Sequence, residues 1–128
     1  MGLDRHVLFN EISSAPNLFR AWGEFKHGKI KKQDVAEFSV NLEERLFALS
    51  KKLRNGRYQH SQYLEFYICD PKRRHIHKAS VTDRLLHHAI FRVLAPIYER
   101  RFIFDSYSSR TGKGTHKAHA RFHDFAWK

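Results

Sequence analysis

The sequence predicts an α+β fold that is mostly helical and carries one small β-hairpin. From Val35 to Leu53 the apolar residues recur at spacings of three and four, which is the period of an amphipathic helix. From Leu64 to Cys69 the pattern changes to strict alternation, which is the period of a half-buried strand. The chain has 128 residues, of which 41% are hydrophobic, so we expect one domain over residues 1–128 with a single core.

Helices account for the first part of the chain. We expect two short helices, Leu3–Ile12 and Pro16–Phe25, because residues 13–15 separate two helical stretches and proline suits a first helical turn. A longer helix follows and ends at Asn55-Gly56, where glycine can adopt the left-handed conformation. Its apolar stripe consists of Val35, Phe38, Leu42, Leu46, Leu49 and Leu53.

The middle of the chain is predicted to form the hairpin. We place it at residues 63–79, with its turn at Asp70-Pro71 and a second strand over residues 74–78. A helix is expected to begin near Thr82, which is a plausible N-cap, and to break or kink at Pro96 before a short helical piece that ends at Arg101.

The last part of the chain is predicted to be extended, then looped, then helical. Residues 102–106 have the character of an extended segment, and residues 110–114 form a glycine-containing loop. Thr115 is expected to cap a final helix that is still running at Lys128. We therefore expect the sequence to be cut within a helix.

The charge of the chain indicates an anionic partner. Lys and Arg number 24 against 13 Asp and Glu, which gives a formal net charge of +11. No apolar run approaches the roughly 20 residues of a membrane span, and no secretory signal pattern is present. The single cysteine, Cys69, excludes an intramolecular disulfide and a thiolate zinc cage. We expect a cytoplasmic protein with no membrane partner.

The histidines and aromatic residues include candidates for binding a metal or stacking on bases. His116, His119 and His123 share one helical face, but no carboxylate or thiolate is spaced as a clear fourth ligand, so no metal site is predicted. Tyr67 and Tyr107 flank basic segments and are the candidates for base stacking. Helical spacing favours the core for the remaining aromatic candidates, Phe19, Trp22, Phe25, Phe38 and Phe47.

Two basic segments carry the candidate binding residues. Lys72, Arg73 and Arg74 occupy the hairpin turn, where they can bind phosphate or simply form a solvated tip. Arg110 and Lys113 lie in the glycine-containing loop, which can approach a phosphate backbone or serve only as a flexible connector. Composition and spacing alone leave both pairs of alternatives open.

Four segments in order carry a resemblance to a known family. They read NLFRAW at residues 17–22, DPKRR at 70–74, TDRLLHHA at 82–89 and DSYSSRTGKGTH at 105–116. In this order they resemble the N-terminal part of bacterial reverse transcriptases of the retron, group II intron and diversity-generating retroelement type, most closely the last. The segment Pro96-Ile97-Tyr98-Glu99 also resembles the family.

The resemblance implies a fingers subdomain of a right-hand polymerase. It implies that Lys72 and Arg74, with Arg73 as a third, bind the triphosphate of the incoming deoxynucleotide. It assigns nucleic-acid binding to the segment with Arg110 and Lys113, beside which we add Tyr107 as a stacking candidate. Two further residues, Asp83 and Arg84, lie at the start of the following helix and are predicted to give structural support. The Asp83 carboxylate suits the helix dipole, and Arg84 can pair with it or with backbone carbonyls to brace the hairpin.

The family's catalytic half is not in this sequence. In the family the carboxylates that hold two Mg²⁺ ions follow the segment that resembles residues 105–116, and neither of their motifs occurs here. No catalytic residue is therefore predicted, and we expect no polymerisation by this chain alone. The full-length enzyme would use Mg²⁺, an RNA template, a DNA primer, deoxynucleoside triphosphates and the missing palm and thumb.

One alternative from another class of protein also fits the sequence. The chain is also consistent with a free-standing basic module that binds RNA or DNA without catalysis, because its charge alone accounts for such binding. The reading frame beyond Lys128 distinguishes the two, since a YxDD motif there supports the polymerase and a stop codon supports the module.

Overall fold

A computed structural model describes residues 4–127 of the chain. It confirms the predicted α+β class, since the described residues form six helices and one two-stranded antiparallel sheet. The elements are α1 (Arg5–Ser13), α2 (Ala15–Phe25), α3 (Gln33–Val40), α4 (Leu42–Arg54), β1 (Leu64–Cys69), β2 (Arg73–Lys78), α5 (Val81–Glu99) and α6 (Thr115–Ala126).

Side-chain caps explain where the first two helices begin. The carboxylate of Asp4 accepts a hydrogen bond from the backbone N–H of His6 at 2.9 Å, so α1 begins directly after Asp4. The hydroxyl of Ser14 accepts one from the backbone N–H of Asn17 at 3.3 Å, and Pro16 lies in the first turn of α2. Both predicted helices are confirmed to within about two residues, although the expected first residue, Leu3, lies outside the described part.

The long helix expected from Val35 is in fact two helices. Asn41 has φ −117° and ψ 44°, which is not helical, and it separates α3 from α4. Asparagine is a weak helix former, and Glu43 and Glu44 follow it at the start of α4, where negative charge suits the helix dipole. The expectation of one continuous helix was wrong because a break of one residue leaves the spacing of the apolar stripe unchanged.

Four helices bury one core. Its members lie on α2, α3, α4 and α5, and they are Leu18, Ala21, Trp22, Phe25, Val35, Phe38, Leu46, Leu49, Val81, Leu85, Leu86 and Ala89. This confirms a core position for three of the predicted aromatic residues, while Phe19 packs against the core only in part. The prediction was wrong for Phe47, which is 56% exposed and meets Phe19 edge-on at 5.7 Å between ring centroids.

The predicted hairpin is confirmed, but its strands are less buried than expected. β1 pairs with β2 in antiparallel register from Leu64 opposite Lys78 to Cys69 opposite Arg73. No residue of β1 is buried, and Phe66 is still 39% exposed. The alternation correctly predicted a strand, but it could not predict what would cover the apolar face.

Helix α5 differs from the prediction at its start and near its end. The cap is Ser80 rather than Thr82, because the Ser80 hydroxyl accepts a hydrogen bond from the backbone N–H of Asp83 at 3.2 Å. The helix continues without a break through Pro96 and ends at Glu99.

The segment after α5 also departs from the prediction. Residues 102–106 form turns rather than an extended segment. Gly114, not Thr115, is the N-cap of α6, and α6 ends at Ala126 instead of running on. The final residue, Lys128, lies outside the described part.

The chain divides into two compact units. The first unit extends through Val93 and contains the helical core and the hairpin, and the second begins at Leu94. Across residues 4–127, no helix combines the length and the apolar character needed to cross a membrane.

Candidate nucleic-acid interface

The hairpin presents three exposed cations at its turn and at the start of β2, Lys72, Arg73 and Arg74, which we call the basic tip. A hydrogen bond of 3.4 Å from the Asp70 N–H to the Lys72 carbonyl closes the turn. Among the described residues, no carboxylate forms an ion pair with any of the three. The charge of the basic tip is therefore available to an external anion.

The two arginines of the basic tip lie on opposite faces of the hairpin, since neighbouring strand residues alternate. The Arg73 guanidinium lies 4.1 Å from the centroid of the Tyr67 ring, a cation–π contact. Tyr67 also stacks on His75 with centroids 4.5 Å apart. Tyr67, the candidate for base stacking, is thus already in contact with two neighbours within the hairpin.

Two further cations anchor the base of the hairpin. Lys78 at the end of β2 and Arg84 on α5 both bind the carboxylate of Asp34 on α3, at 2.7 and 2.6 Å. Hydrogen bonding to Lys78, together with the charge of Arg84, holds the pKa of Asp34 below its usual value of 3.8. Arg84 shares the Asp34 carboxylate with Lys78 of β2, whereas among the described residues its side chain bonds neither Asp83 nor the backbone carbonyls that the sequence suggested.

Asp83 connects the segment before β1 to the start of α5. Its side chain is 1% exposed and accepts hydrogen bonds from the Tyr58 hydroxyl at 2.5 Å, the Ser80 hydroxyl at 2.6 Å and the Ser61 N–H at 3.2 Å. Burial raises the pKa of Asp83, but these three donors outweigh burial and hold the pKa below 3.8. Burial and the adjacent carboxylate raise the pKa of Tyr58, so the phenol stays protonated and keeps donating.

A second basic surface was missed in the sequence. Arg45, Lys52 and Arg57 line a pocket of about 480 Å³, together with Tyr58 and Asp83. Three cations against one buried carboxylate leave this pocket positively charged. The spacing of seven residues between Arg45 and Lys52 on α4 is the signal that could have located it, because such residues share a helix face.

In the second unit, Arg110 is engaged with its own loop. Its guanidinium donates to the Glu99 carboxylate at 2.8 Å and to the carbonyls of Ile103 and Ser106, both at 3.0 Å. Only 10% of the side chain is exposed. Arg110 therefore holds residues 99–110 together, and its predicted contact with nucleic acid stays a prediction.

Lys113 and Tyr107 also have partners within this loop. The Lys113 ammonium donates to the Phe104 carbonyl and lies 4.7 Å from the Tyr107 ring centroid. The Tyr107 hydroxyl donates to Asp105 at 3.1 Å, and Asp105 also pairs with Arg121. The basic tip thus differs from this loop, whose cations are paired with carboxylates or carbonyls.

The described residues do not fit the pair of Mg²⁺ ions that a polymerase uses. Mg²⁺ prefers oxygen ligands, and Asp34, Asp83 and Asp105 are each held by cations or hydrogen-bond donors of the protein. Within residues 4–127, only the exposed group of Glu65, His75 and His77 brings three potential metal ligands within 4.8 Å of one another. That group is rich in nitrogen and lies in the hairpin.

Comparison with known proteins leaves the family unassigned. No protein-family model matches the chain, and a search of curated proteins gives no match. The relation to reverse transcriptases therefore remains a prediction that rests on the four segments quoted above.

Proposed function

We propose that this chain is the fingers region of an RNA-directed DNA polymerase and that its basic tip binds the triphosphate of the incoming deoxynucleotide. One observation carries the proposal. The three cations of the basic tip are consecutive and exposed, and none of them has a carboxylate partner among the described residues. An anion that arrives from outside can therefore bind the tip without displacing a carboxylate of the protein.

The three cations of the basic tip differ in their contacts within the protein. Arg73 is held over the Tyr67 ring, while Arg74 lies on the other face and has no hydrogen-bond partner among the side chains of residues 4–127. We assign the main contacts to Lys72 and Arg74, since a guanidinium can bind two phosphate oxygens at once and an ammonium adds a point charge. Arg73 is the third cation.

The rest of the reaction belongs to other parts of the proposed enzyme. Mg²⁺ would supply charge stabilisation of the transferring phosphoryl group, and it needs carboxylates that the described residues do not offer. In the proposal these come from a palm, which with a thumb also binds the RNA template and the DNA primer. The role of this region is to bind and orient the nucleotide.

An NMR titration of the chain tests the assignment. Deoxythymidine triphosphate should shift amide signals of residues 70–75, and Lys72→Ala/Arg74→Ala should remove that response. Hydrogen bonds to charged groups contribute roughly 1.5–3 kcal/mol each, so the loss of two should lower the affinity by about a hundredfold or more. The control is Lys31→Ala/Lys32→Ala, which removes the same charge from exposed positions.

Two outcomes contradict this assignment. One is equal weakening by both double variants, which would show that only net charge matters. The other is a triphosphate response that survives in the tip variant.

A second candidate, a basic module that binds RNA or DNA without catalysis, is favoured by the pocket of Arg45, Lys52 and Arg57. Its test is the same titration with a single-stranded oligonucleotide. The module is supported if signals around this pocket shift with the oligonucleotide while the triphosphate produces no shift at residues 70–75.

A further inference from the structure

One face of the hairpin brings two imidazoles and a carboxylate together. His75 and His77 lie two residues apart on β2 and share a face, and Glu65 on β1 is paired in register with His77. A Glu65 oxygen lies 3.3 Å from His75 Nε2, and the other oxygen lies 3.4 Å from His77 Nδ1. The three side chains therefore converge from two strands.

These separations match the ligand shell of a transition-metal ion. In a tetrahedral zinc site with bonds of about 2.0–2.1 Å, neighbouring ligand atoms are roughly 3.3–3.4 Å apart. The two nitrogen–oxygen distances in the hairpin, one to each oxygen of Glu65, have this value, and one potential ligand atom from each of the three residues lies within 4.8 Å of the other two. Two imidazoles and one carboxylate form a ligand set that zinc uses when a fourth position is left open.

Aromatic neighbours hold both imidazoles in place. Tyr67 stacks on His75 with an angle of 11° between the rings. Tyr63 meets His77 edge-on, with centroids 6.2 Å apart and an angle of 89°. Supported ligands lose less conformational entropy when they bind an ion, so this arrangement favours binding.

The hairpin also has a structural need that a bridging ion would meet. No residue of β1 is buried. Of the three ligand residues, Glu65 belongs to β1, whereas His75 and His77 belong to β2. A two-stranded hairpin with little packing is marginally stable in water. An ion that binds both strands would restrict their separation and hold the turn that presents the basic tip.

We propose that Glu65, His75 and His77 bind one Zn²⁺ ion that clips β1 to β2, with a fourth coordination position open to water or to an anionic oxygen. This site is separate from the predicted helical histidines, because His116, His119 and His123 do not form a three-ligand group of this kind among the described residues. It is also independent of the proposed polymerase role, since the clip acts on hairpin stability.

Isothermal titration with Zn²⁺ and hydrogen exchange on the full chain test the proposal. We expect one ion per chain, and slower exchange of the β1 and β2 amides when Zn²⁺ is present. His75→Ala and His77→Ala should each weaken the affinity by more than the ten- to hundredfold that loss of an outer-shell partner costs. Glu65→Gln, which keeps the shape and removes the charge, should weaken it as well.

The matched control is His119→Ala/His123→Ala, because those histidines are four residues apart on α6 and could chelate an ion by themselves. This variant should bind Zn²⁺ as the unmodified chain does. The proposal is overturned if His75→Ala/His77→Ala binds Zn²⁺ unchanged, if the α6 variant abolishes binding, or if Zn²⁺ leaves hairpin exchange unaltered. All the substituted side chains are exposed, so loss of the fold would not explain a negative result.

Discussion

Replacing Asp83 with asparagine is expected to destabilise the first unit without touching the basic tip. In the native chain one carboxylate oxygen accepts from the Tyr58 hydroxyl, and the other accepts from the Ser80 hydroxyl and the Ser61 N–H. Asparagine can keep the oxygen that faces Tyr58. Its amide nitrogen then faces two donors, so two hydrogen bonds are lost.

The expected magnitude follows from those two bonds. Hydrogen bonds to a charged group contribute roughly 1.5–3 kcal/mol each, so the loss is roughly 3–6 kcal/mol. The Ser80 hydroxyl can rotate to accept from the new amide, which returns about 1 kcal/mol. We therefore expect the free energy of unfolding to fall by about 3 kcal/mol, a decrease in Tm of roughly 12 °C for a domain of this size.

Thermal and denaturant unfolding monitored by circular dichroism provide the measurement, with Tyr58→Phe as the graded control. That variant removes one of the three bonds and should lose about 2 kcal/mol. Triphosphate binding by the folded fraction should be unchanged in both variants, because neither residue belongs to the basic tip.

The pH dependence gives an independent check. The pKa of Asp83 is lower in the folded chain than its usual value of 3.8, so its stabilisation is complete above that value. It is lost as the pH falls through the folded pKa. The gap in stability between the native chain and Asp83→Asn should therefore be full at neutral pH and shrink in acid. A gap under about 1 kcal/mol at neutral pH, or one that stays constant into strong acid, would refute this reasoning.

Three further outcomes are expected. Arg110→Ala should speed amide hydrogen exchange over residues 99–110, because the guanidinium bonds the Glu99 carboxylate and two backbone carbonyls. Arg110→Lys keeps the charge but lacks the several N–H donors of the guanidinium, so exchange should be nearly as fast. Full protection in the lysine variant would show that charge alone matters. Asp34→Asn should lower the free energy of unfolding by about 1 kcal/mol. The loss should shrink with added salt, because the ion pairs of Asp34 with Lys78 and Arg84 are partly exposed. Denaturant unfolding curves at low and high salt measure both effects. Affinity for single-stranded RNA should fall steeply and log-linearly with salt, since the chain carries a net charge of +11, and titrations at two salt concentrations would expose any salt-independent binding.

The start of α2 and the hairpin turn could be predicted from local sequence signals. Pro16 and the serines before it gave the start of α2, and Asp70-Pro71 gave the hairpin turn, because turn and cap residues act over a few positions. The break at Asn41 was not predictable from periodicity, because the apolar stripe passes through it unchanged. The exposure of β1 depends on what packs against the hairpin, which alternation does not encode.

The candidate site likewise has features that the sequence predicted and features that only the structure shows. The basic tip was visible as a run of cations beside a turn signal; Lys72 lies in the hairpin turn, and Arg73 and Arg74 are the first two residues of β2. The partner of Arg84 was not visible, because Asp34 is 50 residues away in the sequence. The convergence of Glu65 with two histidines likewise requires the register of β1 against β2, which the sequence pattern left undetermined.

Steady-state nucleotide incorporation by the full-length polymerase proposed to contain this region separates nucleotide binding from nucleic-acid binding at the basic tip. For Arg74→Ala, kcat/KM for deoxynucleotides should fall by about ten- to a hundredfold, the equivalent of one lost hydrogen bond to a charged group. The Kd for template–primer should stay nearly unchanged, and Lys31→Ala/Lys32→Ala should alter neither nucleotide kinetics nor template–primer binding strongly. The opposite result, weaker template–primer binding with unaltered nucleotide kinetics, would contradict the account and make the hairpin a clamp for nucleic acid.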